Sequence, residues 1–295
     1  LRASICAGCL ANVAWSHTAF GNNVSAQWDL VSYPKSCSPA VGDMNTVLQV
    51  IGISKQFGAV TAASNISLSL GSTEILGIIG ANGAGKTTFL NMVTGYLRPD
   101  SGIIRYRGSD ITSLEPREIT NLGIHRSFQI PQIFPKLTVF DNVLIAIGIA
   151  GGITKNRWVP LRSQTSEAAV VGLLEHYRIR DYRDRQAGLL PQGVRKLLDI
   201  CMAMVGSPRI LLLDEPTSGV SVEEKMVMMD TILEVIRPHE VGILFVEHDM
   251  EVVEQYANRV VAFSEGEIIA DGLPTEVMSD AEVREMVVGS DLPSN

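Results

Sequence analysis

Residues 80–88 read Gly-Ala-Asn-Gly-Ala-Gly-Lys-Thr-Thr, and no other stretch constrains the fold so tightly. The spacing fits G-x-x-x-x-G-K-[ST], after the apolar run Ile75-Leu76-Gly77-Ile78-Ile79 and before a helical pattern from Thr87 to Val93. Strand, glycine loop and helix in that order make a phosphate-binding loop. Gly80, Gly83 and Gly85 let the backbone turn successive N–H groups inward, and the helix start adds partial positive charge where phosphate oxygens sit. Asn82, Ala84 and Thr88 complete the cradle. Lys86 is expected to reach the β- and γ-phosphates, and the Thr87 hydroxyl to ligate Mg²⁺.

Two later apolar runs point to the same place. Ile210-Leu211-Leu212-Leu213 runs into Asp214-Glu215, and Ile243-Leu244-Phe245-Val246 runs into Glu247-His248. Strands apolar throughout are typical of the middle of a parallel sheet, and ligands of such sheets bind beyond the strands' carboxyl ends. Lys86 with Thr87, Asp214 with Glu215, and His248 should therefore share one rim. Charge then suggests roles: Asp214 to hold Mg²⁺, Glu215 to orient and partly deprotonate an attacking water, His248 to contact the γ-phosphate and that water.

The rest of the chain is expected to frame this rim. Residues 47–70 read as two strands around a turn at Phe57-Gly58, where Phe57 either stacks on a nucleobase or fills a core or hinge. Ile103 to Arg107 and Ile124 to Gln129 read as strands, and Glu115-Pro116 as a helix start. The apolar loop 129–135, with two prolines, suits a partner surface. Residues 136–189 read as mostly helical, with Thr138 and Asp141 as caps and Val143 to Ile149 as a buried helix. Gly193 reads as a break, after which Val194, Leu197, Leu198, Cys201 and Val205 form one helix face. Arg195 and Lys196 lie in the first turn of that helix, where the macrodipole disfavours cations; either an anion docks there or they are solvated surface charges. Val260 to Gly272 reads as a hairpin around Glu265-Gly266, and Pro274 to Gly289 as a terminal helix.

Composition narrows the function. With 46% hydrophobic and 19% charged residues the chain is globular, and a net charge of -8 argues against nucleic acid as a partner. The longest apolar run, Val143 to Ile153, falls short of the about 20 residues that a membrane span needs. Three of the four cysteines, Cys6, Cys9 and Cys37, precede Met44. They make no disulfide framework, and Cys6-x-x-Cys9 is only half a zinc site. Residues 1–43 show no sustained period and are expected to be a disordered or non-native extension, with Met44 as the natural start.

Residues 46–289 resemble the ATP-binding subunit of ABC transporters, of the branched-chain amino acid (Liv) importer type. The phosphate loop, the strand ending in Asp214-Glu215, the strand-end His248 and Gln129 carry the likeness to the family; Arg126-Ser127-Phe128-Gln129, the insert near Gly151 to Arg162 and the tail from Ala270 to Gly289 carry the subtype. The resemblance implies an α/β fold: a P-loop NTPase core with a mixed or parallel sheet (44–129 and 190–272), an N-terminal antiparallel β subdomain, a helical subdomain (130–189) and a C-terminal helix and tail (273–295). It implies Phe57 at the adenine, a position often held by tyrosine, and Gln129 as metal ligand and as coupler of nucleotide state to the membrane partner. Further implications are ATP and Mg²⁺ as cofactors, permease subunits as partners, a homodimer or a heterodimer with a paralogue, and indirectly a solute-binding protein. The expected place is the cytoplasmic face of the inner membrane, bound peripherally. Two departures stand out. The family's Leu-Ser-Gly-Gly-Gln is here Leu190-Pro191-Gln192-Gly193-Val194, which keeps the leucine and the second glycine, Gly193, but not the serine, so that the serine's contact with the opposite subunit's ATP must come from backbone amides, Gln192 or Arg195. The loop after Glu215 ends in Ser221 where the family usually has Asp. A soluble ABC ATPase of DNA repair or translation is the rival, without its coiled-coil insert or second phosphate loop; a GTPase lacks support because no Asn-Lys-x-Asp motif is present.

Overall fold

The computed structural model describes residues 45–151 and 161–288. The expectations for residues 1–43, most of the insert near 151–162 and the last residues of the tail lie outside them. In chain order the elements are β1 (Thr46–Phe57), β2 (Val60–Gly71), β3 (Ile75–Gly80), α1 (Lys86–Val93), β4 (Ser101–Tyr106), β5 (Ser109–Asp110), α2 (Pro116–Asn121) and β6 (Ile124–Ser127). Then come α3 (Val139–Ala150), α4 (Gln164–His176), α5 (Gln192–Val205), β7 (Ile210–Asp214) and α6 (Val222–Ile236). The chain ends with β8 (Gly242–Val246), α7 (Met250–Tyr256), β9 (Arg259–Ser264), β10 (Glu267–Gly272), α8 (Pro274–Ser279) and α9 (Ala281–Val288).

Six strands form a central sheet in the order β10-β9-β3-β8-β7-β6, parallel except for the β9–β10 hairpin. A second, antiparallel sheet runs β2-β1-β4-β5. Period-two alternation sends successive side chains of the central strands to opposite faces. Leu76, Ile78, Leu212, Leu244 and Val246 pack with α1 and the antiparallel sheet. Ile79, Leu211, Leu213, Ile243 and Phe245 pack toward α3 to α7. Covered on both faces, β7 and β8 are buried at every position. That is why their sequences carry no polar alternation.

Several expectations need adjusting. The strand read to Gln129 stops at Ser127, which places Gln129 in the loop beyond the strand end. Gly193 does not break the chain; it is the second residue of α5, where a backbone N–H has no intrahelical partner to lose. The face drawn from Val194 is only partly right: Leu198 and Cys201 are buried, but so are Lys196, Asp199, Ile200 and Met204. Between 177 and 189 the chain makes 3₁₀ turns rather than a helix. The terminal segment is two helices, because Asp280 Oδ1 accepts from Glu282 N at 2.8 Å and caps α9. As expected, Thr138 caps α3, accepting from Asp141 N at 3.0 Å; Val143 and Leu144 are buried, while Ile149 is exposed.

Candidate active site

The glycine loop leaves β3 in a conformation that side chains resist. Gly80 has φ 152° and Gly85 φ 98°, and a Cβ on either would stand 2.4 Å from a backbone oxygen, of Phe263 or Ala62 respectively. Gly85 is the N-cap of α1, which has no side-chain cap and no acidic residue in its first turn. Its first N–H groups and the helix dipole are left to an anion. Lys86 is buried, its Nζ donating to the carbonyls of Gly80 (2.7 Å) and Ala81 (2.9 Å). Burial lowers its pKa, and the carboxylates of Glu215 and Asp214 counteract this. Asn82, Gly83 and Thr87 are exposed, Thr88 is half-buried, and Ala84 is buried. Phe57 closes β1 opposite Val60 and is exposed, so it fills no core. Its hairpin continues to Ala62, which abuts Gly85.

Because β3, β8 and β7 are neighbours and parallel, their carboxyl ends bring the predicted groups to one rim. Glu215 Oε1 lies 3.1 Å from His248 Nε2, and Oε2 accepts from Gln129 Nε2 at 2.8 Å. Glu215 takes φ 50°, a left-handed conformation that a non-glycine residue adopts at a cost of about 1–3 kcal/mol. Its backbone N donates to Val246 O at 3.0 Å, which ties the end of β7 to β8. Asp214 is buried and its Oδ2 accepts from Arg126 Nη2 at 2.7 Å. Arg126 also donates to Asn91 Oδ1 at 2.7 Å and lies 4.8 Å from the Phe128 ring centroid.

Gln192 does not stand free: its Nε2 donates to Ser218 O at 3.1 Å, across the loop after Glu215. Gly193 sits in the same turn, next to Val220. Three groups escaped the sequence reading. Arg126 looked only like a subtype marker, although a cation on a strand beside a carboxylate-bearing strand is a pairing candidate. Glu247 is buried and accepts from Thr217 N (2.7 Å) and Oγ1 (2.8 Å), which fastens the loop after Glu215 to the end of β8. Asp199 accepts from Ser127 Oγ and Gln132 N.

Asp249 follows His248 and starts α7, accepting from Glu251 N and Val252 N, with Lys225 Nζ at 2.6 Å. The Lys225 hydrogen bond holds its carboxyl below the ordinary value. Such a group stabilises the fold fully above its unfolded pKa, and the contribution disappears as pH falls through the lower, folded value. Asp249→Ala is expected to cost about 1 kcal/mol at neutral pH. Chemical denaturation at pH 7 and below pH 3 checks this: the difference from wild type should vanish in acid.

Residues 63–218 match the ABC transporter family. The chain belongs to that family. The high-affinity branched-chain amino acid transport ATP-binding protein LivG of Salmonella typhimurium is 34% identical over 251 residues, 82% of this chain and 98% of that protein. The probable branched-chain amino acid transport ATP-binding protein LivG of Archaeoglobus fulgidus is 34% identical over 248 residues, 83% of this chain and 96% of that one. The crystal structure of the ADP conformation of an ATP-binding cassette from an ABC transporter superposes with a TM-score of 0.72 at 30% identity, covering 83% of this chain and 99% of that one. The fold is thus the ABC ATPase cassette, and this ABC ATPase binds and hydrolyses adenine nucleotide as the energy-converting subunit of a transporter. Among the described residues no helix is long and apolar enough to cross a membrane.

Proposed function

We propose that this ABC ATPase powers the import of branched-chain amino acids or related small polar solutes through membrane permease subunits, bound peripherally at the cytoplasmic face of the inner membrane. The observation that carries the catalytic part is the meeting of Gln129, Glu215 and His248 within hydrogen-bond distance, on the rim that also holds Lys86 and Asp214. The substrate class rests on the LivG relatives and is this chain's only by likeness.

In this reading the glycine loop and the start of α1 receive the phosphates, and Lys86 exchanges its two carbonyl partners for the β- and γ-oxygens. Phe57 offers its exposed ring to the adenine. Glu215 orients a water and accepts its proton, Gln129 and His248 hold the carboxylate from either side, and His248 reaches the γ-phosphate. Thr87, Asp214 and Gln129 supply a hydroxyl, a carboxylate and an amide oxygen. All are hard donors, so the set fits Mg²⁺, which would neutralise phosphate charge there. Two subunits, identical or paralogous, close over two ATPs so that residues 190–194 of one meet the phosphate loop of the other.

Residues 130–189 act as a helical subdomain facing the permeases. The exposure of Ile130, Phe134 and Leu189 around the loop beyond β6 supports this. A solute-binding protein would act on the other side of the membrane. Affinity purification from membranes is the test: recovery with polytopic membrane proteins is the expected outcome, and recovery with nucleic acid instead would overturn the transport reading. A ternary check is uptake of labelled leucine by the reconstituted complex, which should require ATP.

A further inference from the structure

Helix α5 carries two buried charges three residues apart, and both reach across to the site. Lys196 is 2% exposed, and its Nζ donates to the backbone carbonyl of Glu215. Asp199 accepts from Ser127 Oγ at 2.6 Å and Gln132 N at 2.9 Å, on the two sides of Gln129. One helix thus holds the chain on both sides of the contact between Gln129 and Glu215.

An ammonium is costly to bury unless it is hydrogen-bonded and faced by counter-charge. Burial pulls the Lys196 pKa down, while the carboxylates of Glu247, Glu215, Asp214 and Asp199 work against this. A methionine would fill the same space without that cost. The groups that Lys196 faces show what the charge is for. Glu215 holds a left-handed backbone with φ 50°, and its carbonyl accepts from Ser218 N at 3.2 Å as well as from Lys196. This is the conformation in which the carboxylate meets Gln129 and His248.

We propose that Lys196 is a positioning residue: its ammonium locks the Glu215 backbone in place, so that α5, whose first turn includes residues 192–194, transmits displacements of residues 190–194 to the carboxylate. The proposal rests on the reading of Glu215 as the water-activating group. When a partner presses on residues 190–194, the first turn of α5 moves with them, and the Glu215 carbonyl moves with Lys196. Hydrolysis is thereby tied to closure without any contact between Lys196 and nucleotide.

The test compares Lys196→Met and Lys196→Arg in the full chain. Lys196→Met should lower kcat about tenfold or more while KM for ATP stays within about threefold, the signature of misplacement rather than lost binding. Lys196→Arg, which keeps a donor and the charge, should recover most of the lost kcat. A Lys196→Met kcat within about twofold of wild type would overturn the proposal, as would equal losses in the Met and Arg variants. In case neither variant folds, NMR on the wild type decides: a hydrogen-bond coupling between Lys196 Nζ and the Glu215 carbonyl carbon is expected, and its absence would overturn the proposal. Glu215→Gln, measured alongside, separates the two readings. An inactive Glu215→Gln with a normal Lys196→Met removes only the role of Lys196, whereas an active Glu215→Gln removes the premise about Glu215.

Discussion

Glu215→Gln is expected to bind ATP about as well as wild type and to lose turnover by about a thousandfold, the middle of the range for removing a general base. The substitution keeps the volume and planarity of the side chain. Its amide oxygen can still accept from Gln129 Nε2, now at 2.8 Å from Oε2, and its amide nitrogen can donate to His248 in the matching tautomer. Only the capacity to take a proton from water is lost. With the chemical step blocked, subunits that close over ATP cannot reopen by hydrolysis, so the variant should elute as a dimer in ATP and as a monomer in ADP. Phosphate release and size-exclusion chromatography together check this. Turnover within about tenfold of wild type would sink the role given to Glu215.

Lys86→Ala should weaken ATP and ADP binding by roughly 10- to 150-fold, equivalent to the about 1.5–3 kcal/mol that a hydrogen bond to a charged group contributes. Its effect on the nucleotide-free protein should have the opposite sign or none. In the free protein the ammonium is buried against the Gly80 and Ala81 carbonyls, and its charge is disfavoured by desolvation. Removing it relieves that desolvation, although two carbonyls lose a donor. Thermal unfolding should therefore show a nearly unchanged midpoint without ligand and a much smaller upward shift when ATP is added. Isothermal titration gives the affinities directly. Wild-type affinity in Lys86→Ala would undo the phosphate-loop reading.

How much of this was legible in the sequence depends on the range of the forces involved. The strands at Ile75, Ile210 and Ile243 could be read because parallel strands covered on both faces must be apolar at every position. Their shared rim follows from that parallel arrangement, and so the approach of Glu215 to His248 was anticipated. The order β9-β3-β8-β7-β6 was not, since pairing partners lie far apart along the chain. Lys196 was misjudged for a related reason: a period drawn from apolar residues alone assumes one covered face, and α5 is covered around the face where Lys196 and Asp199 lie. Buried charges satisfied by distant backbone groups leave no local trace. Asp280 is the converse case, because its cap is local and an Asp inside a helical period was the available signal.

The left-handed backbone at residue 215 has an outcome for anyone breeding hardier forms of this chain. Glycine adopts φ near 50° without a Cβ penalty, so a screen that rewards heat tolerance alone should favour glycine at that position. Lineages selected that way would grow more rugged and fall silent together, and ruggedness would have to be sought elsewhere in the chain.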